Sequence, residues 1–179
     1  TAPAPWAGHI PFAFWSVRTL RPRVFVELGS FSGVSYFAFC QAIEAADLNT
    51  QAHAIDTWAG DPHAGYYGED VYRAFISRQV KYATFSTAHR KTFDEALDGF
   101  AEQTIDLLHI DGLHTYEAVQ HDFTTWLPKL TDDAVVLFHD IREYSGDFGV
   151  HQFWDELMTR YPGLAFEHSH GLGVLCLSS

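Results

Sequence analysis

The sequence predicts an α/β domain built on a doubly wound, mostly parallel sheet of seven strands, the last of which is antiparallel. Two observations support this. Five short apolar runs alternate with helical patterns, and these runs are nearly continuous in apolar residues, as in strands covered on both faces. Two further runs flank the turn 170–173, so the last strand can run back along the sheet. The expected strands are 24–28, 51–56, 82–86, 105–110, 134–138, 164–168 and 173–177.

Helical periodicity fills the intervals between these runs. The first helix precedes the first strand and ends at Arg21-Pro22, because the residue before proline avoids the helical region. Pro128 and Pro162 stop two later helices in the same way. The expected helices are 12–20, 33–46, 71–80, 93–100, 116–127 and 149–161.

Composition and net charge exclude several classes of function. The chain has 179 residues and a formal net charge of −12. That charge disfavours nucleic-acid binding, which needs Lys and Arg to neutralise phosphate, and it disfavours docking on an anionic membrane. No apolar run is long enough for a membrane span, and no signal-peptide pattern is present. Cys40 and Cys176 sit in apolar contexts and are expected as free thiols, which favours a cytoplasmic location.

The first nine residues are expected to form a linker or N-terminal arm, since they are rich in proline and glycine and show no periodicity. A single domain is then expected over residues 10–179. The sequence starts at Thr1 without an initiator methionine. A domain of a larger protein is therefore one arrangement that we keep open. A homo-oligomer is another, because the sequence does not fix the oligomeric state.

The most informative stretch is residues 24–35, where a strand, a glycine turn and a helix follow one another. Gly29 and Gly33 allow a tight turn and a close approach of a ligand to the backbone. Their GxxxG spacing differs from the GxGxxG of dinucleotide binders. Glu27 would repel a pyrophosphate and would suit a ligand that carries an ammonium group. The alternative is a tight turn that binds nothing.

Asp56 ends the second strand at the same edge of the sheet. A carboxylate in this position can accept both hydroxyls of a ribose, although an ordinary turn or N-cap aspartate is the competing interpretation. Thr57 and Trp58 follow directly. Trp58 either stacks on a nucleoside or belongs to the core.

Polar residues recur where the predicted strands end: Glu27, Asp56, Asp111, His139 and Asp140. Ligands of open α/β sheets bind outside the carboxyl ends of the strands, so this recurrence predicts the site there. Carboxylates distributed at random over the core or the surface would not recur at one edge of the sheet.

Asp111 and Asp140 end neighbouring strands, with His139 beside them. Such a group either binds a hard cation such as Mg²⁺ or forms a metal-free polar network. His114 lies three residues beyond Asp111 and can face the same cavity, where a histidine is the natural general base at neutral pH. His109, inside a strand, is expected to be structural.

The segment 27–33, Glu-Leu-Gly-Ser-Phe-Ser-Gly, resembles the first motif of class I methyltransferases that use S-adenosylmethionine. That resemblance implies their Rossmann-like fold. It places Gly29 and Gly33 along the methionine and ribose portion of the cofactor, Glu27 near its amino end, and the loop after the third strand beside adenine. The expected cofactor-binding set is Glu27, Gly29, Ser30, Gly33, Asp56, Thr57, Trp58, Ser86 and Asp111.

A closer resemblance covers residues 110–117 (IDGLHTYE), 126–130 (WLPKL) and 136–140 (VLFHD). These segments look like a small methyltransferase family often linked to glycosyltransferases, and related to catechol and macrolide-sugar O-methyltransferases. The resemblance implies that Asp111, His139 and Asp140 bind a divalent cation and that His114, assisted by Asp111, takes the proton. His139 departs from the acidic residue of the metal-dependent relatives, and histidine is a poorer Mg²⁺ ligand.

The sequence therefore predicts an S-adenosylmethionine-dependent methyltransferase acting on a hydroxyl of a small molecule, sugar or glycan, with the loops at Tyr66-Tyr67 and Tyr144 covering the acceptor. Two other classes are weighed against it. One is an inactive methyltransferase-like binding or scaffold domain, which the intact motifs disfavour. The other is an NAD-dependent oxidoreductase, which Glu27 and the glycine spacing disfavour.

Overall fold

The computed structural model describes residues 5–178 and contains one large sheet. Its strand order is β5-β2-β1-β6-β7-β9-β8, and β3 pairs only with β4 in a small hairpin. The first five strands of that order are parallel, and β9 runs antiparallel to both β7 and β8. The predicted doubly wound sheet with an antiparallel last strand is confirmed. The strands are β1 (Val24–Leu28), β2 (Gln51–Asp56), β3 (Gly60–Asp61), β4 (Gly65–Tyr66), β5 (Ser86–Arg90), β6 (Ile105–Ile110), β7 (Leu130–His139), β8 (Gly163–Phe166) and β9 (Leu172–Cys176).

Helices cover both faces of the sheet and divide the core into two layers. Phe25 of β1 packs in the layer that contains α1 and α2, whereas Val26 and Leu28 pack in the layer that contains α5 and α6. This alternation follows from the two-residue period of a strand. Within residues 5–178 no helix is long and apolar enough to cross a membrane. The α-helices are α1 (Ile10–Leu20), α2 (Val34–Ala45), α3 (Glu69–Gln79), α4 (Phe93–Ala96), α5 (Tyr116–Trp126) and α6 (Val150–Leu157).

Threonine caps start two helices just after the carboxyl ends of strands. The Thr92 side chain accepts a hydrogen bond from Glu95 N–H and completes a capping box at α4, and the Thr115 side chain accepts from Ala118 N–H at α5. Each cap satisfies a backbone donor that the helix itself leaves free. These caps fix the points at which the chain turns away from the carboxyl edge of the sheet.

The third strand of the parallel set was wrongly placed by the sequence pattern. It spans Ser86–Arg90, whereas residues 82–86 were expected. Tyr82 instead ends a short 3₁₀ helix and is buried in the core. The strand lies at the edge of the sheet and is mostly polar, so apolar periodicity did not reveal it.

Ser86 is therefore at the amino end of β5, away from the carboxyl edge of the sheet where the site is expected. Its hydroxyl lies 2.7 Å from the Tyr36 hydroxyl in the core. The prediction that Ser86 binds the cofactor is wrong, because that prediction depended on the strand ending at this residue.

The segment before α1 also differs from the prediction. Residues 5–9 were expected to be linker, but Pro5–His9 forms a 3₁₀ helix in which Trp6 and His9 are buried. Proline and glycine do not exclude such a short helix, and the buried aromatic side chains hold it on the domain. Residues 1–4 and Ser179 lie outside the described residues.

Asp122 is a buried carboxyl on α5, 6% exposed, close to Gly112 at the end of β6. Burial raises the pKa of Asp122 to about 7. Since the folded pKa exceeds the ordinary value, the native state binds this proton more tightly than the unfolded chain does. Stability therefore falls as pH rises from about 4 to about 7.

We expect Asp122→Asn to stabilise the protein at pH 8 and to have little effect at pH 4. A rise of about three pKa units sets an upper limit of about 4 kcal/mol for this gain. Urea unfolding at both pH values measures it. The exposed Asp98→Asn is the control and should stay within about 0.5 kcal/mol. Equal effects of Asp122→Asn at pH 4 and pH 8 would contradict the assignment.

Candidate active site

The glycine turn after β1 brings the ends of two strands into contact. Gly29 has φ +85°, and a Cβ added there would overlap the carbonyl oxygen of Asp111. The Asp111 N–H donates to the Leu28 carbonyl at 2.8 Å. Only glycine allows both this backbone conformation and this close approach.

Gly33 has a structural role at the start of α2, and its predicted contact with the cofactor stays a prediction. It has φ +79° at the start of α2, and a Cβ there would overlap the rings of Phe37 and Phe75. Gly33 lines neither cavity of the site. Its absent side chain serves the turn and the packing of α2.

Asp56 ties the glycine turn to the end of β2. Its Oδ2 accepts from Ser30 N–H at 2.9 Å and Phe31 N–H at 2.8 Å, and its Oδ1 accepts from Trp58 N–H at 2.6 Å. A carboxylate has about four lone-pair sites, so capacity remains for a hydroxyl. The ribose role of Asp56 stays a prediction.

Trp58 belongs to the core. It is 1% exposed and packs against Tyr72 and Phe75, with ring centroids 5.0 and 4.8 Å away. Its backbone adopts φ +51°, and its indole N–H donates to the Phe31 carbonyl at 2.9 Å. The predicted stacking on a nucleoside is wrong, and the core alternative is correct.

Two cavities open at the carboxyl edge of the sheet. The smaller cavity measures about 220 Å³ and lies beside Gly29, Phe31 and the end of β2. The larger cavity measures about 530 Å³ and includes Ser30 and the start of α2. The smaller one is lined by Gly29, Phe31, Asp56, Thr57, Gly60, Asp61, Ala64, Tyr67, Thr92, Phe93, Asp111, Gly112, Leu113 and His114. The larger one is lined by Pro5, Trp6, Gly29, Ser30, Phe31, Ser32, Val34, Ser35, His63, Ala64, Asp111, His114, His139, Asp140, Glu143, Ser145, Phe148 and His170.

The two cavities share Asp111 and His114, so they meet at the end of β6. Glu27 lines neither cavity. Its side chain is fully buried and contacts His109 at 2.8 Å. A molecule that fills both cavities must pass Gly29 and Asp111.

Asp111, His114, His139 and Asp140 form one group, here called the Asp–His cluster. His139 Nδ1 lies 3.3 Å from Asp111 Oδ1 and 3.2 Å from Asp140 Oδ2. His114 Nε2 lies 2.9 Å from Asp140 Oδ2 and 3.5 Å from Asp111 Oδ1. Asp140 has φ +61°, a left-handed conformation that is uncommon for a residue with a side chain. The convergence predicted for these four residues is present in the structure.

The orientation of His139 follows from its second nitrogen. Nε2 lies 3.1 Å from the Ser169 carbonyl oxygen, which can only accept, so Nε2 carries a proton. Nδ1 therefore faces the carboxylates of Asp111 and Asp140. That arrangement requires positive charge between the three groups, either a second proton on the ring or a cation.

The cluster changes the ionisation of its members. Burial lowers the pKa of both histidines, but Asp111 and Asp140 outweigh burial and raise the pKa of His114 to about 9 and of His139 to about 10. Burial opposes ionisation of Asp111, yet His139 and His114 hold the pKa of its carboxyl well below the usual range. Without another cation, both histidines are therefore protonated at neutral pH.

Two loops cover His114. The Phe148 ring stacks on His114 with centroids 4.9 Å apart, and the His63 ring stacks on Phe148 at 4.4 Å. His63 Nε2 lies 2.7 Å from Asp147 Oδ1 and links the 60–66 hairpin to the 141–149 loop. Sequence analysis missed these contacts, because residues from separate loops carry no shared motif. Tyr66 and Tyr144, expected to cover the acceptor, are 80% and 61% exposed.

The strand order and the site at the carboxyl edge define a class I methyltransferase architecture. A family model described as a methyltransferase domain matches residues 26–141. This chain belongs to that methyltransferase family. The predicted membership of a methyltransferase family is thereby confirmed.

A curated relative extends the match. The uncharacterized protein y4gI of Sinorhizobium fredii is 51% identical over 170 residues, which cover 95% of this chain. The chain spans 19% of the length of that relative.

Solved structures share the fold at low sequence identity. The O-methyltransferase TomG of Streptomyces achromogenes, in complex with S-adenosylmethionine, superposes with a TM-score of 0.69 at 16% identity, covering all of this chain and 82% of TomG. The O-methyltransferase of Bacillus cereus, in complex with S-adenosylhomocysteine, superposes with a TM-score of 0.69 at 12% identity, covering 98% and 81% of the two chains. At such identities the likeness supports the fold.

We expect Gly29→Ala to destabilise the protein more than Gly65→Ala. Both glycines have positive φ, but a Cβ at Gly65 meets nothing within 4 Å. The control should lose about 1–2 kcal/mol, the cost of a left-handed conformation, and Gly29→Ala at least about 3 kcal/mol. Urea unfolding checks the difference, and equal losses would contradict the close approach to Asp111.

Proposed function

We propose that the protein transfers the methyl group of S-adenosylmethionine to a hydroxyl of a small molecule or sugar. The observation that carries this proposal is the meeting of the two cavities beside Asp111 and His114. The adenosine part would occupy the smaller cavity near Asp56 and Thr57, and the methionine part would extend into the larger cavity near Ser30. The sulfonium would then lie at the junction, facing the space where an acceptor fits.

The reaction needs alignment and one proton transfer. The acceptor oxygen attacks the methyl carbon in line with the departing sulfur, so S-adenosylhomocysteine leaves as a neutral thioether. His114 Nε2 removes the hydroxyl proton, for which it must be unprotonated. Asp111 and Asp140 orient the ring, and Phe148 stacks on it to restrict its movement.

A divalent cation would suit the Asp–His cluster. One ligand atom from each of Asp111, His139 and Asp140 lies within 4.8 Å of the other two. Adjacent ligands of an octahedral ion with bonds near 2.1 Å are separated by about 3 Å. The distances from His139 Nδ1 to Asp111 Oδ1 and to Asp140 Oδ2, 3.3 and 3.2 Å, are close to this value. When bound, the ion would polarise the acceptor oxygen and offset the carboxylate charges. His114 would then release its proton more easily and could act as base at neutral pH.

The larger cavity favours a neutral or positively charged acceptor. Its lining combines the aromatic rings of Trp6 and Phe148 with polar groups from His63, Ser145 and His170. Among the described residues that line either cavity, none is Lys or Arg. A phosphorylated or carboxylated acceptor would therefore find no Lys or Arg to pair with, whereas a sugar or another polyol would find hydrogen-bond partners and an aromatic surface.

Calorimetric titration with S-adenosylhomocysteine tests the cofactor. We expect binding in the micromolar range, and NAD should not bind. Absence of S-adenosylhomocysteine binding, with or without added Mg²⁺ or Mn²⁺, would contradict the proposal. Binding without turnover of any acceptor would indicate the inactive scaffold instead.

We expect His114→Gln to lower kcat by about 10²- to 10⁴-fold, the usual contribution of a general base. The affinity for S-adenosylhomocysteine should change less than about threefold, because the base acts on the acceptor. Release of S-adenosylhomocysteine with a panel of sugars, polyols and catechols measures turnover. His121→Gln is the matched control, since His121 is exposed and paired with Asp94. A fully active His114→Gln variant would exclude the base assignment.

The pH profile tests the cation. With EDTA present, we expect activity to rise with pH up to about 9, because carboxylates raise the pKa of His114 to about 9 and only the unprotonated ring can take a proton. Added Mg²⁺ or Mn²⁺ should move this rise toward neutral pH. Identical profiles with EDTA and with either cation would contradict a metal at the Asp–His cluster.

A further inference from the structure

A buried chain of hydrogen bonds joins the N-terminal 3₁₀ helix to the carboxylate of the glycine motif. The Trp6 indole Nε1 lies 3.2 Å from His109 Nε2, and His109 Nδ1 lies 2.8 Å from Glu27 Oε2. His109 and Glu27 are fully buried, and Trp6 is 4% exposed. Trp6 also lines the larger cavity. The chain thus connects the cavity wall to strands β6 and β1.

The chemistry of the three groups fixes the direction of both hydrogen bonds. An indole N–H can only donate, so His109 Nε2 must accept. The ring proton of His109 then sits on Nδ1, which donates to Glu27 Oε2. If the indole N–H were lost, Nε2 would be a buried acceptor without its donor, and the ring would lose the contact that fixes its position beside Glu27. Trp6 therefore holds the His109 ring in the orientation in which Nδ1 donates to Glu27.

The other carboxylate oxygen of Glu27 has no partner. Oε1 is buried and accepts no hydrogen bond from the described residues. An unpaired buried acceptor is unfavourable, so it indicates a missing donor. Glu27 lies two residues before Gly29, which lines both cavities. Glu27 itself lines neither cavity, so a ligand ammonium in the larger cavity would reach Oε1 through one bridging water.

The 3₁₀ helix is held at its other end as well. His9 Nε2 lies 3.3 Å from the Ser169 carbonyl, and His168 Nε2 lies 3.3 Å from the Gly8 carbonyl. A Cβ at Gly8 would overlap the Ser169 hydroxyl oxygen. The 3₁₀ helix that carries Trp6 is therefore held by the β8–β9 turn at Gly8 and His9 and by His109 at the indole.

We propose that Trp6 and His109 are positioning residues that hold Glu27 as the counter-ion for the ammonium group of the cofactor's methionine portion. This inference depends on the proposed use of S-adenosylmethionine and assigns a role to a segment outside the glycine motif. A role in packing alone is the competing explanation, since the Trp6 ring also packs against Phe39, with ring centroids 5.6 Å apart.

Two ligands separate these explanations. S-Adenosylhomocysteine carries the ammonium group, whereas 5′-methylthioadenosine has the same nucleoside and sulfur but lacks the amino acid. Trp6→Phe keeps an aromatic ring and removes the N–H. We expect this variant to bind S-adenosylhomocysteine about tenfold more weakly, the scale of one lost charged hydrogen bond, and 5′-methylthioadenosine within about twofold. Trp15→Phe, at an exposed tryptophan on α1, is the control and should change neither affinity.

A double-mutant cycle tests whether Trp6 acts through Glu27. Glu27→Gln should reduce the affinity for S-adenosylhomocysteine selectively, and adding Trp6→Phe should cause little further loss. Independent, additive losses would overturn the inference, as would equal weakening of both ligands by Trp6→Phe. A poorly folded variant loses both affinities together, so the ratio of the two affinities measures the contribution of the Trp6–His109–Glu27 chain of hydrogen bonds.

The wild-type protein supplies a test that requires no substitution. Nitrogen-15 NMR of the histidine rings should show His109 as the neutral tautomer with the proton on Nδ1, and a proton on Nε2 would overturn the inference. Failure of the proposed function is distinguishable. In that case the wild type would bind neither ligand, whereas failure of this inference alone leaves wild-type binding intact and the affinity ratio unchanged in Trp6→Phe.

Discussion

The close approach of Gly29 to the backbone of Asp111 is the contact on which the site depends. It joins the ends of β1 and β6, and Asp56 then fixes the glycine turn against the end of β2 by accepting from the backbone N–H groups of Ser30 and Phe31. These constraints come from backbone atoms, so they position the wall of both cavities with little freedom. Side chains that perform chemistry can then vary on a rigid edge.

Charge is concentrated at the same edge at considerable electrostatic cost. The Asp–His cluster places two carboxylates and two imidazoles within a few ångströms, and the carboxylates raise the pKa of both histidines. Such a network is stable only while its charges balance. A cation or a proton can supply that balance, and exchange between them would link binding at the cluster to the availability of His114 as a base.

Much of the fold was readable from the sequence, because buried parallel strands and their helices carry strong apolar patterns. The convergence of Asp111, His114, His139 and Asp140 was also predictable, since all four lie at or just after the carboxyl ends of the neighbouring strands β6 and β7. Single-residue roles were less predictable. Trp58 adopts a positive φ that no local motif indicates, and Ser86 begins an edge strand whose polar residues obscure its limits. The contacts of Trp6 and Phe148 join distant segments, so only the folded structure reveals them.

A crystal structure of the protein with S-adenosylhomocysteine would show directly how the cofactor lies across the two cavities. We expect the nucleoside in the smaller cavity with its ribose hydroxyls at Asp56, the sulfur beside Asp111, and the amino acid portion in the larger cavity near Ser30. A ligand bound in the opposite direction, bound elsewhere, or absent at saturating concentration would contradict this arrangement.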